Sequence, residues 1–166
     1  MRKLKFITIF ILLLFSFFIT PFTFTAVSSG EAMLALYPEK STFLNPDLLA
    51  LDVVLEVQQQ NINTIYLDLN FPTTNVSLSE ALYSDSFCTI IAYESVDVKA
   101  GNYRLICGSP TPITEQTATV VRLTFKKVKA GWANFKFGDS SLILAHDGLG
   151  TNLLVNQEVH SIYIIK

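Results

Sequence analysis

The 166-residue sequence predicts an all-β fold: two antiparallel sheets packed face to face in a jelly-roll-like β-sandwich of about nine strands. Three observations predict it. Apolar and polar residues alternate with a period of two in run after run, and Gly, Pro and Asn clusters separate the runs. No amphipathic helical pattern long enough to cover a sheet lies between them. Short strands without covering helices bury their apolar faces against one another.

The strand candidates follow in chain order, beginning with residues 32–37. Leu49, Leu51, Val53, Leu55 and Val57 alternate with Ala50, Asp52, Val54 and Glu56, giving one oily and one wet face that fit no helix. Ile65, Leu67, Leu69 and Phe71 alternate in the same way with Tyr66, Asp68 and Asn70. Residues 88–94 and 103–108 read as the next two strands. Thr119, Val121, Leu123 and Phe125 define another, and Ala133, Phe135 and Phe137, against Asn134 and Lys136, the one after. Residues 142–145 and 161–165 complete nine. Breaker residues separate them, as in Asn45-Pro46-Asp47, Lys99-Ala100-Gly101-Asn102 and Asp147-Gly148-Leu149-Gly150. Residues 72–86 stay open, because 78–82 suits a helical turn as well as a strand.

Arg2, Lys3 and Lys5 precede fifteen uncharged residues, 6–20, that end at Pro21. This is the shape of a secretory signal. The run is shorter than the roughly 20 residues that span a bilayer, and small residues suit cleavage after Ser28 or Gly30. Residues 1–30 are therefore expected to be a signal peptide, and 31–166 one domain, extracellular or at the cell surface. An uncleaved N-terminal anchor is the alternative and the only expected membrane contact. Without Arg2, Lys3 and Lys5 the domain holds nine Lys and Arg against fourteen Asp and Glu, a formal net charge of −5 where the whole chain has −2. An acidic domain with no basic cluster binds nucleic acid poorly, so no such partner is expected.

Export favours a disulfide between the two cysteines. If residues 88–94 and 103–108 form a hairpin turning near Asp97 and Val98, positions whose numbers sum to 195 face each other, and Cys88 with Cys107 is such a pair. The bridge is then structural, since no CxxC spacing or cation cluster accompanies it. Two separate small core residues are the other reading.

Four blocks occur in order: AMLALYP at 32–38, NTIYLDLNFP at 63–72, TVVRLTFKKV at 119–128 followed by Ala130-Gly131, and SSLILA at 140–145 running into DGLGTN at 147–152. Together they resemble the cohesin-like domains of bacterial surface proteins, which share a superfamily with the family 2 and family 3 carbohydrate-binding modules. The resemblance covers almost all of residues 31–166. It implies a nine-stranded jelly roll that assembles proteins, with dockerins as the best-known partners. It also implies a partner-binding sheet face built from the third, fifth, sixth and eighth strands. Carried over block by block, the outward residues of that face are Tyr66, Asp68 and Asn70, then Arg104, then Arg122 and Thr124, all on one sheet. One departure bears on the partner. Cellulosomal cohesins tend to end the third strand with Tyr-Asp-Pro, whereas this chain has Asn70-Phe71-Pro72.

Residues for catalysis are sparse. His146 and His160 are the only histidines and form no HxxxH or HExxH spacing. No GxSxG elbow, Walker loop or GxGxxG after a strand occurs. Ser140-Ser141 near His146-Asp147 reads as a turn, and Asp52 with Glu56 as a wet face rather than a glycosidase pair. No enzyme activity and no cofactor are expected. A weak calcium candidate is the loop bearing Asp147 and Asn152, whose two glycines equally suit turn geometry. Trp132, on the polar side of its strand with Asn134 and Lys136, is a candidate for stacking on a sugar ring. Asn75-Val76-Ser77 fits a glycosylation sequon. The expected function is an exported, non-catalytic binding module whose partner is a dockerin-like or other extracellular protein module. The alternative is a carbohydrate-binding module recognising polysaccharide, and a third reading is a structural envelope subunit.

Overall fold

A computed structural model describes residues 32–38, 48–58, 60–113, 115–155 and 160–165, the last by their backbone alone. The expected signal, residues 1–30, and the turn at 45–47 lie outside them. Among the described residues the chain forms ten strands: β1 (Ala32–Tyr37), β2 (Leu48–Val57), β3 (Ile62–Asn70), β4 (Val76–Leu82), β5 (Ile90–Asp97), β6 (Asn102–Ile113), β7 (Thr117–Lys127), β8 (Gly131–Phe137), β9 (Leu142–Ala145) and β10 (His160–Ile165). The smaller sheet runs β1-β2-β7-β4 and the larger β10-β8-β3-β6-β5, with β9 also paired to β3. Every ladder between strands is antiparallel.

The period of two becomes the sandwich directly. Leu49, Leu51, Val53, Leu55 and Val57 of β2 are all buried, and Val121, Leu123 and Phe125 of β7 lie beside them. Ile65, Leu67 and Leu69 of β3, Tyr103 and Leu105 of β6, and Ala133, Phe135 and Phe137 of β8 supply the other inner face. Phe125 meets Phe71 at 5.3 Å and Phe135 at 5.1 Å between ring centroids, both edge to face, so this aromatic line ties the two sheets together.

The strand beyond the expected nine is β4, in the segment that the sequence left open. It is the edge of the smaller sheet, and of its seven residues only Val76 is fully buried. A bulge between Leu78 and Glu80 breaks its alternation, so no period-two signal survives.

The disulfide joins Cys88 to Cys107, with Cα atoms 5.4 Å apart and both residues buried. The register expected for it is corrected. The turn lies at 98–101, two positions further along, and the cross-strand partners of Cys107 are Ile65 and Ile91. Cys88 stands just ahead of β5 and reaches β6 from the loop, because a bulge between Ile91 and Tyr93 lengthens the β5 side.

Along β3, one flank pairs with β6, in unbroken register from Thr64 to Asn70, while the other is shared. β9 pairs Ile62 to Tyr66, and β8 pairs Leu69 and Asn70. The 138–141 turn fills the gap opposite Asp68. The Gly138 N–H donates to the Asp68 carbonyl at 2.7 Å, and the Asp68 N–H donates to Ser141 Oγ at 3.1 Å. A Cβ on Gly138 would stand 2.5 Å from Asp68 Oδ2, which is why this turn position requires glycine.

Candidate docking face

Cross-strand partners in a ladder point to the same face. Ile65 and Leu67 fill the core, so Tyr66 between them faces outward. Its partners are Ile106 of β6 and Leu142 of β9, and Ile106 pairs in turn with Tyr93 of β5. An uncharged row, Tyr93–Ile106–Tyr66–Leu142, therefore crosses four strands of the outer face. The row beside it, Ile90–Gly108–Thr64–Leu144, is uncharged too. A Cβ on Gly108 would lie 2.2 Å from the Asn63 carbonyl oxygen, so the β3 bulge at this point demands glycine. On the other side of Tyr66 the face turns polar, first Ser95–Arg104–Asp68 and then Asp97–Asn102–Asn70–Lys136. The exposed margin of the apolar half is Ile90, at 55% exposure, and Tyr93, at 48%.

Asp68 lies on this face but is not open to a partner. It is 6% exposed, and its carboxylate accepts Ser140 Oγ at 2.8 Å and Asn102 Nδ2 at 2.5 Å. Arg104 Nε lies 3.9 Å away, with its own side chain 57% exposed. Asn70 is exposed and accepts Asn102 Nδ2 at 3.1 Å. Tyr66, Asn70 and Arg104 are thus the expected contact residues that the fold brings together with an accessible surface.

Arg122 and Thr124 are a correction. Both lie on β7, in the smaller sheet, and Arg122 forks onto Asp52 with Nε to Oδ1 at 2.6 Å and Nη2 to Oδ2 at 2.9 Å. The hydrogen bond and charge of Asp52 hold the guanidinium above its usual pKa. The displacement has a simple cause. Without β4 in the count, β7 becomes the sixth strand, whereas the sixth is β6. The sheet containing the third, fifth, sixth and eighth strands does form.

Trp132, expected as a sugar-stacking residue, is on that larger sheet and is 68% exposed. It sits apart from Tyr66. Lys136 pairs with Asn70 at the end of β3, and Trp132 is four residues beyond, about 13 Å further along the strand direction.

Asp147 and Asn152 do not converge on open acceptors. Asp147 Oδ1 accepts the Leu149 N–H at 2.8 Å and Oδ2 accepts Thr151 Oγ1, bonds that hold its carboxyl below the usual range. Asn152 Oδ1 accepts the N–H groups of Ile143 and Leu154 at 3.2 and 3.1 Å. The loop consumes its own oxygens, as a turn does. His146 Nδ1 accepts Asn63 Nδ2 at 3.0 Å, again a local tie.

Beneath β5, the Tyr103 hydroxyl donates to Glu94 Oε1 at 3.0 Å and lies 2.7 Å from the Tyr83 hydroxyl. Burial pushes the Tyr83 phenol up to about 12 and raises that of Tyr103 further. Ile90, Tyr93, Ile106 and Leu142 are the surface residues that sequence reasoning missed. An apolar residue in a strand reads as core at first sight, and the period of two from the outward Arg104 is the signal that could have marked Ile106 as outward.

No protein-family model matches the chain, and no curated protein matches it. Solved structures do. A cohesin, CaCohA2 from Clostridium acetobutylicum, superposes with a TM-score of 0.62 at 10% identity, over 81% of this chain and 90% of that one. The seventh ScaB type I cohesin from Pseudobacteroides cellulosolvens gives 0.59 at 12% identity, over 81% and 91%. A chain of the Coh-OlpA–Doc918 type I cohesin–dockerin complex from Clostridium thermocellum gives 0.59 at 14%, over 81% and 98%. At such identities the likeness is one of fold, and the chain carries a cohesin-like β-sandwich.

Proposed function

We propose that the protein is an exported, non-catalytic docking module that binds a dockerin-type or other extracellular protein module through the outer face of its larger sheet. The observation that carries this reading is the uncharged row Tyr93–Ile106–Tyr66–Leu142 across four strands. An outer sheet face meets solvent on polar residues, and a contiguous apolar band there marks a partner surface. Tyrosine and arginine concentrate binding energy at such surfaces, and here Tyr66 and Tyr93 adjoin Arg104. The fold supports the reading, as does the dockerin complexed with the cohesin in the Clostridium thermocellum structure. The buried, saturated Asp68 and the missing Tyr-Asp-Pro aspartate indicate a partner recognised through apolar contact more than through an acidic group. The charged N-terminus with its apolar run, and the disulfide, support export to an oxidising compartment.

The test is a binding screen against a panel of dockerin modules. A captured module should lose about 1–3 kcal/mol of affinity on Tyr66→Ala and none on Trp132→Ala. Binders indifferent to Tyr66 would reject the reading, and a panel without a single binder would reject the dockerin-type partner. One observation favours a second: Trp132 is the most exposed aromatic side chain among the described residues, and Asn134 and Lys136 share its side of β8. On that reading the protein is retained on insoluble polysaccharide and Trp132→Ala abolishes the retention.

A further inference from the structure

The geometry points to a membrane-docking surface at one end of the sandwich, where two turns of identical sequence present valine and lysine together to an anionic lipid layer. Val98-Lys99-Ala100-Gly101 closes β5 onto β6, and Val128-Lys129-Ala130-Gly131 leads β7 into β8. The loop at 71–75 ties them to the same end. The Phe71 N–H donates to the Gly101 carbonyl at 2.7 Å, and the Asn75 carbonyl accepts the N–H groups of Val128 and Lys129 at 2.8 and 3.2 Å.

Turn geometry accounts for the two glycines, which have φ of 70° and 144°. It does not account for the valines. An apolar β-branched residue is not a turn former, and Val98 and Val128 are 59% and 57% exposed, outside the core. Trp132, the first outward residue after the second turn, is 68% exposed.

Positive charge gathers at the same end. Lys99 and Lys129 lie in the turns, Lys126 and Lys127 lead into the second, and Lys136 pairs with Asn70 where β3 ends. These are five of the nine basic residues of an acidic domain. Among the described residues Lys99, Lys126, Lys129 and Lys136 form no ion pair. Asp97, ahead of the first turn, has Oδ1 bound by the N–H groups of Lys99 and Ala100, whereas Glu56, Asp85, Glu115 and Asp147 lie toward the opposite end. Ala32 is at that opposite end too, paired with Val57, while Leu48 at the other end of β2 pairs with Lys126. The surface therefore serves a domain released from residues 1–30, not one tethered by them.

The combination of side chains selects the occupant. A soluble polyanion engages the lysines and leaves the valines in water. A bilayer offers anionic groups at its surface and apolar chains beneath. Lys99 and Lys129 then meet phosphates, Val98 and Val128 enter the headgroup boundary, and Trp132 takes the interfacial position that tryptophan favours.

The experiment mixes the exported, disulfide-bonded protein with vesicles of phosphatidylcholine, alone or with added phosphatidylglycerol, and reads sedimentation and the emission of Trp132, the chain's one tryptophan. The protein should sediment with the anionic vesicles only, with blue-shifted emission, and salt should release it. Lys99→Ala with Lys129→Ala should weaken binding about fivefold for each lysine. Val98→Ser with Val128→Ser should weaken it about tenfold or more. Tyr66→Ala leaves it unchanged, which separates this surface from the outer face of the larger sheet. Equal binding to both vesicles, an unshifted Trp132 emission, or indifference to either pair of substitutions would overturn the proposal. Capture by dextran sulfate without capture by anionic vesicles would assign the lysines to a soluble polyanion and overturn the lipid occupant.

Discussion

The outer faces of the two sheets are written in the same alternating pattern and do opposite things with it. On the smaller sheet one outward pair of opposite charges satisfies itself across the ladder. Arg122 forks onto Asp52, and the Tyr37 hydroxyl donates to Glu56 at 2.7 Å. On the larger sheet the one acid near the centre, Asp68, is buried under the 138–141 turn, and the two rows on its Tyr66 side are uncharged. The lesson is that two faces of the same alternating pattern differ in where their charges are paired and where their rows carry none, not in how many charged residues they hold.

The largest expected effect erases the difference between the faces. Phe125 is fully buried between Phe71 and Phe135, so Phe125→Ala should cost about 3–5 kcal/mol in chemical denaturation and loosen both sheets together. Reduction of the Cys88–Cys107 bridge should separate them. Removing a cross-link that spans 19 residues costs roughly 3 kcal/mol. Hydrogen exchange should accelerate first in β5 and β6, with β2 and β7 following.

Much of this fold was legible in the sequence, for a physical reason. β2, β3 and β8 each bury one face, so their alternation is strict enough to read, and β7 keeps it from Val121 to Phe125, beyond a bulge that buries Val120 as well. β4 buries only Val76 fully and remained hidden. Because it remained hidden, the strand count slipped by one and Arg122 and Thr124 were assigned to the wrong sheet. At the candidate site Tyr66, Asn70 and Arg104 were legible as polar or aromatic residues on outward positions. Ile90 and Tyr93 were not, since their shared orientation follows from the bulge in β5, which is not written locally, while Ile106, two residues from Arg104, was passed over because it is apolar.

Two smaller effects sharpen the comparison of the two aspartates and of the two margins. Asp68→Ala leaves the donors of Ser140 and Asn102 without their acceptor and should cost about 1–3 kcal/mol of stability. Asp52→Ala, on the exposed ion pair, should cost less than about 1 kcal/mol. Equal losses would undo the contrast drawn between the faces. At alkaline pH the β5 margin should yield. Tyr83 titrates near 10.0 when unfolded and near 12 when folded, so the unfolded chain loses its proton first. Stability is then full below pH 10 and falls as pH rises toward 12. Tyr103, raised further, contributes over the same range, so Tyr83→Phe should lessen that fall without abolishing it, and an unchanged profile would exclude Tyr83 as a source of the loss.

The most direct measurement of the central claim is the affinity of one captured dockerin-type module for two double variants, one from each sheet. Tyr66→Ala with Tyr93→Ala should weaken binding by about 2 kcal/mol or more, as hot-spot residues do, while Asp52→Ala with Arg122→Ala leaves it unchanged. Loss of affinity in the second pair with none in the first would contradict the account and move the docking surface to the smaller sheet.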